Sequence, residues 1–202
     1  MKSYQLKIVL LGTSPLIWRR VIMPADVTFN RLEEQIVVTN DDEAYEQNKF
    51  YKKQYKKSQP SDKEDPFGFI TRELSTTYRK PEGIKIDTFI ENDHELFYEY
   101  DFGDDWRFHI ILEKVVEDHY YGYPILVDGA ETAPPEDVGG IPGFYDFLEM
   151  YNNPSHPEHE DMRAWAESQL FREYDPDHIN KMLKFIHYKK TEWDKITEND
   201  SL

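Results

Sequence analysis

Seven side chains of this sequence have the types that bind divalent cations, and they fall in three short stretches. Carboxylates make up the first two, an aspartate-rich turn and a Pro-Pro-Glu-Asp segment, and two histidines three residues apart make up the third. Carboxylate oxygens suit hard cations, imidazole nitrogens extend the choice to Mn, Fe or Zn, and histidines at i and i+3 share one helix face. The candidate metal ligands are Asp101, Asp104, Asp105, Glu136, Asp137, His156 and His159.

Two interpretations of these residues stay open at the level of sequence. A bound divalent metal could activate water, which would make the chain a metal-dependent hydrolase-type enzyme. Alternatively, carboxylates near turns and helix starts are solvated or cap backbone groups, and Asp104, Asp105 and Trp106 then only fix a turn. No nucleophile elbow, P-loop or dinucleotide fingerprint is present, so no catalytic residue is assigned. Whether the chain is an enzyme depends on whether the three stretches converge on one pocket.

The charge of the chain is concentrated in one segment. The net charge is −16, and residues 91–180 carry 23 acidic but only 4 basic side chains, whereas residues 1–90 carry 13 acidic and 15 basic ones. An acidic surface repels nucleic-acid phosphates and attracts cations or basic proteins, although it also serves solubility alone. The sequence therefore favours an acidic protein-interaction module with a basic protein partner and disfavours direct nucleic-acid binding.

Composition excludes several classes of protein. The chain has no cysteine, which rules out a disulfide framework, a thiolate zinc site and a cysteine nucleophile. Near the N-terminus the longest apolar run is Ile8 to Leu11, too short for a signal-peptide core or a membrane span. We therefore expect no membrane association and a cytoplasmic location.

The first third of the chain predicts a ββα unit. Apolar residues alternate over residues 4–11, a second β-rich run covers residues 16–23, and Gly-Thr-Ser-Pro joins them as a turn. Thr28 is a good N-cap for a helix that reaches Ile36. This order of elements is typical of a β-grasp-like α+β fold, in which the helix crosses the sheet.

Arg19 and Arg20 lie next to each other in the second predicted strand. Because successive strand residues point to opposite faces, one of the two must face the less exposed side. Either its aliphatic stem lies over the sheet with the guanidinium in water, or the arginine clamps an anion or a carboxylate.

The middle of the chain gives weaker signals. Residues 41–66 mix lysines with aromatic residues, which predicts a solvated helix with Tyr51 and Tyr55 facing inward, while nucleic-acid contact is the alternative. Residues 58–66 are predicted to form a mobile loop. Short strands are predicted near residues 67–70 and 84–89.

The second half predicts a hairpin followed by helices. Strand runs at residues 95–102 and 106–116 flank Gly103, residues 119–143 read as an ordered irregular loop, and three amphipathic helices fill a helical cap over residues 144–190. Ser155 and Glu158 predict a capping box for the second helix, and Asp175-Pro176 predict the start of the third. We therefore predict a single α+β domain over residues 1–202, with a mostly antiparallel sheet in residues 1–118.

Four separated motifs in this sequence resemble the Ri-plasmid ORF-3-like family, and together they span nearly the whole chain. The resemblance implies an α+β fold and an association with plasmids or mobile elements, since that family includes passenger proteins of insertion sequences; it implies no reaction. The motifs are Ile17-Trp18-Arg19-Arg20-Val21 with Pro24, Tyr98-Glu99-Tyr100-Asp101-Phe102-Gly103-Asp104-Asp105-Trp106, Pro134-Pro135-Glu136-Asp137-Val138-Gly139-Gly140, and His156-Pro157-Glu158-His159-Glu160.

Overall fold

A sheet of seven strands forms the centre of the structure, a computed structural model that describes residues 2–25, 49–57, 71–79, 85–100, 103–119 and 122–185. Neighbouring strands in this sheet are all antiparallel. The strands are β1 Ser3–Leu10, β2 Trp18–Pro24, β3 Lys49–Lys57, β4 Thr71–Arg79, β5 Glu95–Tyr100, β6 Trp106–Val116 and β7 Ile125–Ala130, and their order across the sheet is β4-β3-β5-β6-β1-β2-β7.

In the part of the chain that the structure describes, helices pack on the sheet, one of them between β4 and β5 in the chain and three after β7, which confirms the α+β class. The helices within the described residues are α1 Asp87–Asp93, α2 Gly140–Asn152, α3 His159–Ser168 and α4 Pro176–Phe185. The last three are the helices predicted from the apolar stripes. The helix predicted to begin at Thr28 and the loop predicted at residues 58–66 lie outside the described residues, so the ββα, β-grasp-like opening stays a prediction.

Both predicted hairpins are present. In the first, β1 pairs with β2 and places Leu6 opposite Val21, so that the apolar alternation of both strands faces one side. In the second, β5 pairs with β6 from Glu95 opposite Ile111 to Tyr100 opposite Trp106. The 11-residue β6 then continues along β1, and these strands form the middle of the sheet.

The core lies between one face of the sheet and the helices. Tyr4, Leu6 and Ile8 of β1 are at most 4% exposed, and they pack with Ile110 of β6 and Phe147 of α2. Buried residues therefore alternate along the strands and recur every three or four positions along the helix. These are the two patterns that predict a strand and a helix from the sequence.

An aromatic cluster joins the C-terminal helices to one another. The ring of Phe147 lies 5.1 Å from that of Tyr151, 5.7 Å from that of Trp165 and 5.0 Å from that of Phe171, measured between centroids. The last two contacts are edge-to-face, a geometry that aromatic pairs favour. Tyr151 and Phe171 are themselves in contact, so α2, α3 and the segment before α4 form one unit.

The helix starts confirm one predicted cap and contradict the other. Asp175 Oδ1 accepts hydrogen bonds from the backbone N–H groups of Asp177 and His178, each at 3.0 Å, and these bonds lower the pKa of Asp175. The predicted Ser155–Glu158 box is wrong, because α3 begins only after Glu158 and no side chain caps it. Ser155 N–H instead donates to Asn153 Oδ1, so the residues before α3 form a turn of their own.

Three further predictions differ from the structure. Residues 49–57 form strand β3 rather than a helix; side chains four apart share a face in either structure, so the spacing of Tyr51 and Tyr55 could not discriminate. The strand predicted near residues 84–89 is wrong, because this segment leads into helix α1. Ile86, directly before the helix, and Ile90 within it are four residues apart and fully buried. Residues 119–143 contain strand β7, which pairs with β2.

β7 is an edge strand, and α4 closes part of its free edge. The side-chain amide of Asn180 accepts a hydrogen bond from Leu126 N–H at 2.9 Å and donates one to the Leu126 carbonyl at 3.0 Å. Both backbone groups of Leu126 that face away from β2 are therefore satisfied by one side chain, as a neighbouring strand would satisfy them.

Candidate functional site

Asp105, in the turn between β5 and β6, forms an ion pair with Arg107. Its Oδ1 and Oδ2 accept hydrogen bonds from Arg107 Nε and Nη2 at 3.0 and 2.7 Å. The two side chains are 57% and 52% exposed. An exposed pair of this kind contributes little to stability. Asp105 also has a left-handed φ of 55°, so it serves the geometry of the turn.

Asp104, the neighbouring carboxylate, lies at the start of α2. Its Oδ2 accepts a hydrogen bond from Gly139 N–H, the N-cap position of the helix, at 3.2 Å. In a capping box the third helical residue supplies this carboxylate, but that residue here is Pro142. Asp104 supplies it from the hairpin instead, where a negative charge also complements the helix dipole.

Gly140 allows this approach between the turn and the helix. It has a left-handed φ of +68°, and a Cβ there would lie 2.5 Å from the carbonyl oxygen of Asp104. Only glycine fits both conditions. The Asp-Phe-Gly-Asp-Asp-Trp motif and the Gly-Gly motif therefore meet, and their meeting point is the N-terminus of α2.

The histidine motif lies at the other end of the same helix. His159 Nδ1 donates to the carbonyl oxygen of Met150 at 3.0 Å, and His156 Nδ1 accepts from Glu158 N–H at 3.2 Å. Met150 comes ten residues after Gly140, so the two ends are separated by about 15 Å at ~1.5 Å per residue. One metal ion cannot reach both Asp104 and His159.

The other predicted metal ligands are Glu136, Asp137 and Asp101. Glu136 and Asp137 lie in the loop before α2, half-buried and exposed respectively, and Asp101 lies outside the described residues. Among the residues that the structure describes, no group of three or more histidines, aspartates and glutamates is close enough to hold a metal ion. A smaller site that includes Asp101 stays a prediction, and elemental analysis of protein purified without chelator would test it.

A cavity of about 240 Å³ lies elsewhere, between the turn that joins β1 to β2, the end of β7, and α2. The sequence did not single it out, because its lining comes from four separated segments. The sequence signal nearest to it is the apolar stripe that predicts α2, to which Phe144 and Tyr151 belong. Its main lining residues are the rings of Phe144, Tyr145, Tyr151 and Phe171 and the carboxylate residues Glu131 and Glu173.

Hydrogen bonds fix the wall that the β1–β2 turn contributes. The hydroxyl of Tyr145 accepts from Ser14 N–H at 2.6 Å and donates to the Ser14 carbonyl at 3.2 Å. Thr13 Oγ1, which is buried, accepts from Ile17 N–H and donates to the Leu10 carbonyl, both at 3.0 Å. Thr13 therefore stabilises the turn through hydrogen bonds within it, and Tyr145 links the turn to α2.

Arg19 fixes the opposite wall. Its guanidinium donates to the carbonyl oxygens of Trp18, Ala130 and Glu131 at 2.7–2.8 Å and stacks 4.2 Å from the ring centroid of Tyr174. Burial is the main cause that lowers the pKa of Arg19. Because Arg19 holds the Glu131 backbone, which has a left-handed φ of 66°, it determines where that residue presents its carboxylate.

Arg19 is the arginine on the less exposed face, and it takes neither predicted role because its guanidinium binds backbone carbonyl oxygens. Arg20, on the opposite face, clamps a carboxylate. Its Nε and Nη2 bind the two carboxylate oxygens of Glu113 at 2.6 and 2.8 Å, and Nη1 lies 3.1 Å from Asp128 Oδ2. The hydrogen bond from Arg20, assisted by one from Gln5, lowers the pKa of Glu113 to about 2. The pair lies on the sheet face opposite to the core and does not line the cavity.

The surface around the cavity is strongly acidic. Residues 128–180 contain 13 aspartates and glutamates but only two basic side chains, Arg163 and Arg172. All 13 lie in the described part of the chain, and all except Glu136 are exposed. In the described residues, no helix has both the length and the apolar character that crossing a membrane requires.

Comparison with known proteins gives a consistent set of relatives. A family model described as "Plasmid pRiA4b ORF-3-like protein" matches residues 2–182. The chain is 26% identical over 166 residues to "Uncharacterized protein y4hQ" of Sinorhizobium fredii (strain NBRC 101917 / NGR234), covering 81% of this chain and 80% of that protein. It is also similar to the crystal structure of the protein of unknown function MM3350 from Methanosarcina mazei Go1, with 29% identity, a TM-score of 0.64, and coverage of 88% of this chain and 97% of the other.

Proposed function

The chain belongs to the plasmid pRiA4b ORF-3-like family, and since the two relatives above are described only as uncharacterised or of unknown function, we propose a function from the chain's own surface. The protein is an interaction module whose acidic helical side binds a basic partner protein. Family membership confirms the resemblance seen in the four sequence motifs. It supplies the fold and leaves the partner to be inferred from charge and shape.

The observation that carries this proposal is the exposed carboxylate surface of residues 128–180. From residue 128 to the end of α4, twelve exposed acidic side chains outnumber four basic ones, Arg163, Arg172, Lys181 and Lys184, and create a negative field over the side of the molecule that includes α2 and α3. Such a field accelerates encounter with a positively charged protein and repels nucleic acid. A basic partner of this kind is a nucleic-acid-binding protein, whose phosphate-binding face is positive.

The distribution of charge over the sheet supports an oriented encounter. Strand β3 carries five lysines and no acidic residue, and it lies next to the β4 edge of the sheet. The acidic helical side is tied to the opposite edge, since α4 contacts β7 through Asn180. The lysine-rich strand and the acidic helical side are therefore far apart in the strand order, so a basic partner is directed to the helical side.

The test compares two charge-matched double variants. Asp146→Asn with Glu149→Gln neutralises two exposed carboxylates of α2, and Glu117→Gln with Asp118→Asn neutralises two exposed ones at the end of β6. A partner is first captured from the native host, identified and purified, and its Kd is then measured at about 50 and 300 mM salt. We expect steep weakening with salt, and weaker binding for the α2 variant only.

Two results would contradict the proposal. The first is a purified partner whose affinity is independent of salt. The second is an equal loss of affinity in both double variants, because net charge rather than the helical side would then determine binding. Mass measurement over a range of protein concentrations excludes self-association between β3 lysines and the acidic side as the source of the signal.

A further inference from the structure

We propose that the cavity beside α2 binds one arginine side chain of the basic partner. This inference rests on the proposed function and names the chemistry of its recognition site. The cavity is distinct from the turn and histidine motifs, and neither the family description nor the relatives assign it a ligand.

The size of the cavity suits one side chain. Its volume is about 240 Å³. Sites for small molecules and cofactors usually occupy roughly 300–1,000 Å³. A single long side chain inserted from a partner surface is the ligand class that fits, and buried anchors of this kind are a common feature of protein interfaces.

The lining of the cavity selects a planar cation. Four aromatic residues line the cavity together with Glu131 and Glu173. Neither glutamate has an ion pair within 4 Å among the described residues, although Glu131 interacts with the nearby charge of Arg19. A guanidinium stacks on aromatic faces and donates bidentate hydrogen bonds to carboxylates, whereas an ammonium is a compact point charge. We therefore assign arginine rather than lysine.

The protein already uses this stacking twice next to the cavity. Arg163 lies 4.4 Å from the ring centroid of Tyr151, which lines the cavity, and Arg19 lies 4.2 Å from that of Tyr174, directly after Glu173. The local arrangement of rings thus accommodates guanidinium groups. A third arginine, supplied by the partner, would make the same type of contact with another aromatic residue of the lining.

The walls are in place before any ligand arrives. Tyr145 is bonded to Ser14, and Thr132 Oγ1 accepts a hydrogen bond from Tyr174 N–H at 3.0 Å. Binding to a fixed site avoids the loss of side-chain entropy that ordering would require. Pre-organisation by hydrogen bonds to backbone groups is expected of a recognition site.

Two exposed leucines adjoin lining residues of the cavity in the sequence. Leu16 is 52% exposed and stands between the lining residues Pro15 and Ile17, and Leu170 is 63% exposed and directly precedes Phe171. Exposed apolar side chains of this kind suit a protein partner, whose residues on either side of the arginine can contact them.

The experiment titrates the ¹⁵N-labelled protein with the peptide acetyl-Gly-Arg-Gly-amide and with the same peptide containing lysine or citrulline. We expect the arginine peptide to shift the amide resonances of Thr132, Tyr145 and Asn152, with a Kd of about 1 mM for so small a probe. Citrulline, which has the same shape without charge, should bind at least tenfold more weakly, and lysine several-fold more weakly.

Two matched variants locate the binding. Glu131→Gln with Glu173→Gln removes the two carboxylates of the cavity, and Asp161→Asn with Glu167→Gln removes two exposed carboxylates of α3 that do not line it. We expect arginine binding to weaken at least tenfold in the first variant and less than twofold in the second. Dispersed amide spectra verify that both variants are folded.

The outcomes separate this inference from the proposed function. Equal affinity for arginine and citrulline, equal affinity for arginine and lysine, or shifts spread over α3 and α4 would each overturn the arginine pocket. If the whole partner still binds in a salt-dependent manner in those cases, the interaction module stands without the pocket. If the partner binds without regard to salt, the module itself is wrong.

Discussion

Replacing Glu113 with glutamine tests how the sheet face opposite the core is stabilised. Glu113 on β6 accepts hydrogen bonds from Arg20 on β2 and from Gln5 on β1, so one carboxylate joins three strands. The contacts hold the pKa of Glu113 at about 2, against an ordinary value of 4.5. A lowered pKa means that folding favours the charged carboxylate, which is the group that the substitution removes.

The magnitude follows from the difference between the two pKa values. At 1.36 kcal/mol per unit, the difference corresponds to an upper bound of about 3.4 kcal/mol. The side chain of Glu113 is 23% exposed and the residue as a whole lies at the surface, so solvent screens the interaction. We accordingly expect the substitution to lower the free energy of unfolding at pH 7 by about 1–2 kcal/mol.

The two pKa values of Glu113 also determine how its contribution to stability changes with pH. Because the folded-state pKa is lower than the unfolded one, the contribution is complete above about pH 4.5 and is lost as the pH falls toward about 2. Urea unfolding followed by tryptophan fluorescence should show the difference between wild type and Glu113→Gln shrinking across that interval. Asp105→Asn, which removes a more exposed pair with Arg107, should change stability by less than about 0.5 kcal/mol. A Glu113 difference that stayed constant from pH 7 to pH 2.5 would refute the reasoning.

Three other substitutions probe contacts between elements. Asp104→Ala removes the carboxylate at the start of α2 and should lower the free energy of unfolding by about 1 kcal/mol, measured in urea; no change would mean that the helix start needs no partner. Gly143→Ala places a Cβ 1.9 Å from the Val138 carbonyl oxygen, whereas Gly122→Ala meets nothing within 4 Å. Thermal unfolding should show a midpoint about 6–12 °C lower for the first, from an overpacking penalty of about 3 kcal/mol, and near wild type for the second. Tyr4→Phe deletes a partly buried hydroxyl that shares its one hydrogen between the carboxylates of Asp87 and Glu91 on α1, and it should lower stability by about 1–2 kcal/mol in urea; equal midpoints would show that α1 docks without it.

The hairpins and the C-terminal helices were predictable because their patterns are local. Alternation on β1 and β2 with a Gly-Thr-Ser-Pro turn determines that pair, and Asp175-Pro176 marks the start of α4 by its own side chain. α1 was missed because Ile86 and Ile90 satisfy a strand period as well as a helical one. Tyr4, which is far away in the sequence, bonds to Asp87 and Glu91 of α1, and no local pattern reveals that contact.

The candidate site was less predictable than the fold, for a physical reason. Sequence motifs identify residues with suitable chemistry, but they carry no distance between separated segments. Asp104 and His159 were grouped for their ligand chemistry, and α2 holds them at opposite ends. The cavity shows the converse case, since Glu131 and Glu173 belong to no motif and come to line one cavity only when β7 and the segment before α4 are brought together.

The hydrogen bonds between Asn180 and Leu126 reduce the tendency of the edge strand β7 to pair with a strand of another molecule. An edge strand with unsatisfied backbone groups is a template on which a strand of another molecule can add, and repeated addition leads to fibrils. The amide of Asn180 occupies the position of the first incoming peptide group along β7. Detachment of α4 would uncover that template, so the docking of this last described helix protects the protein from ordered aggregation.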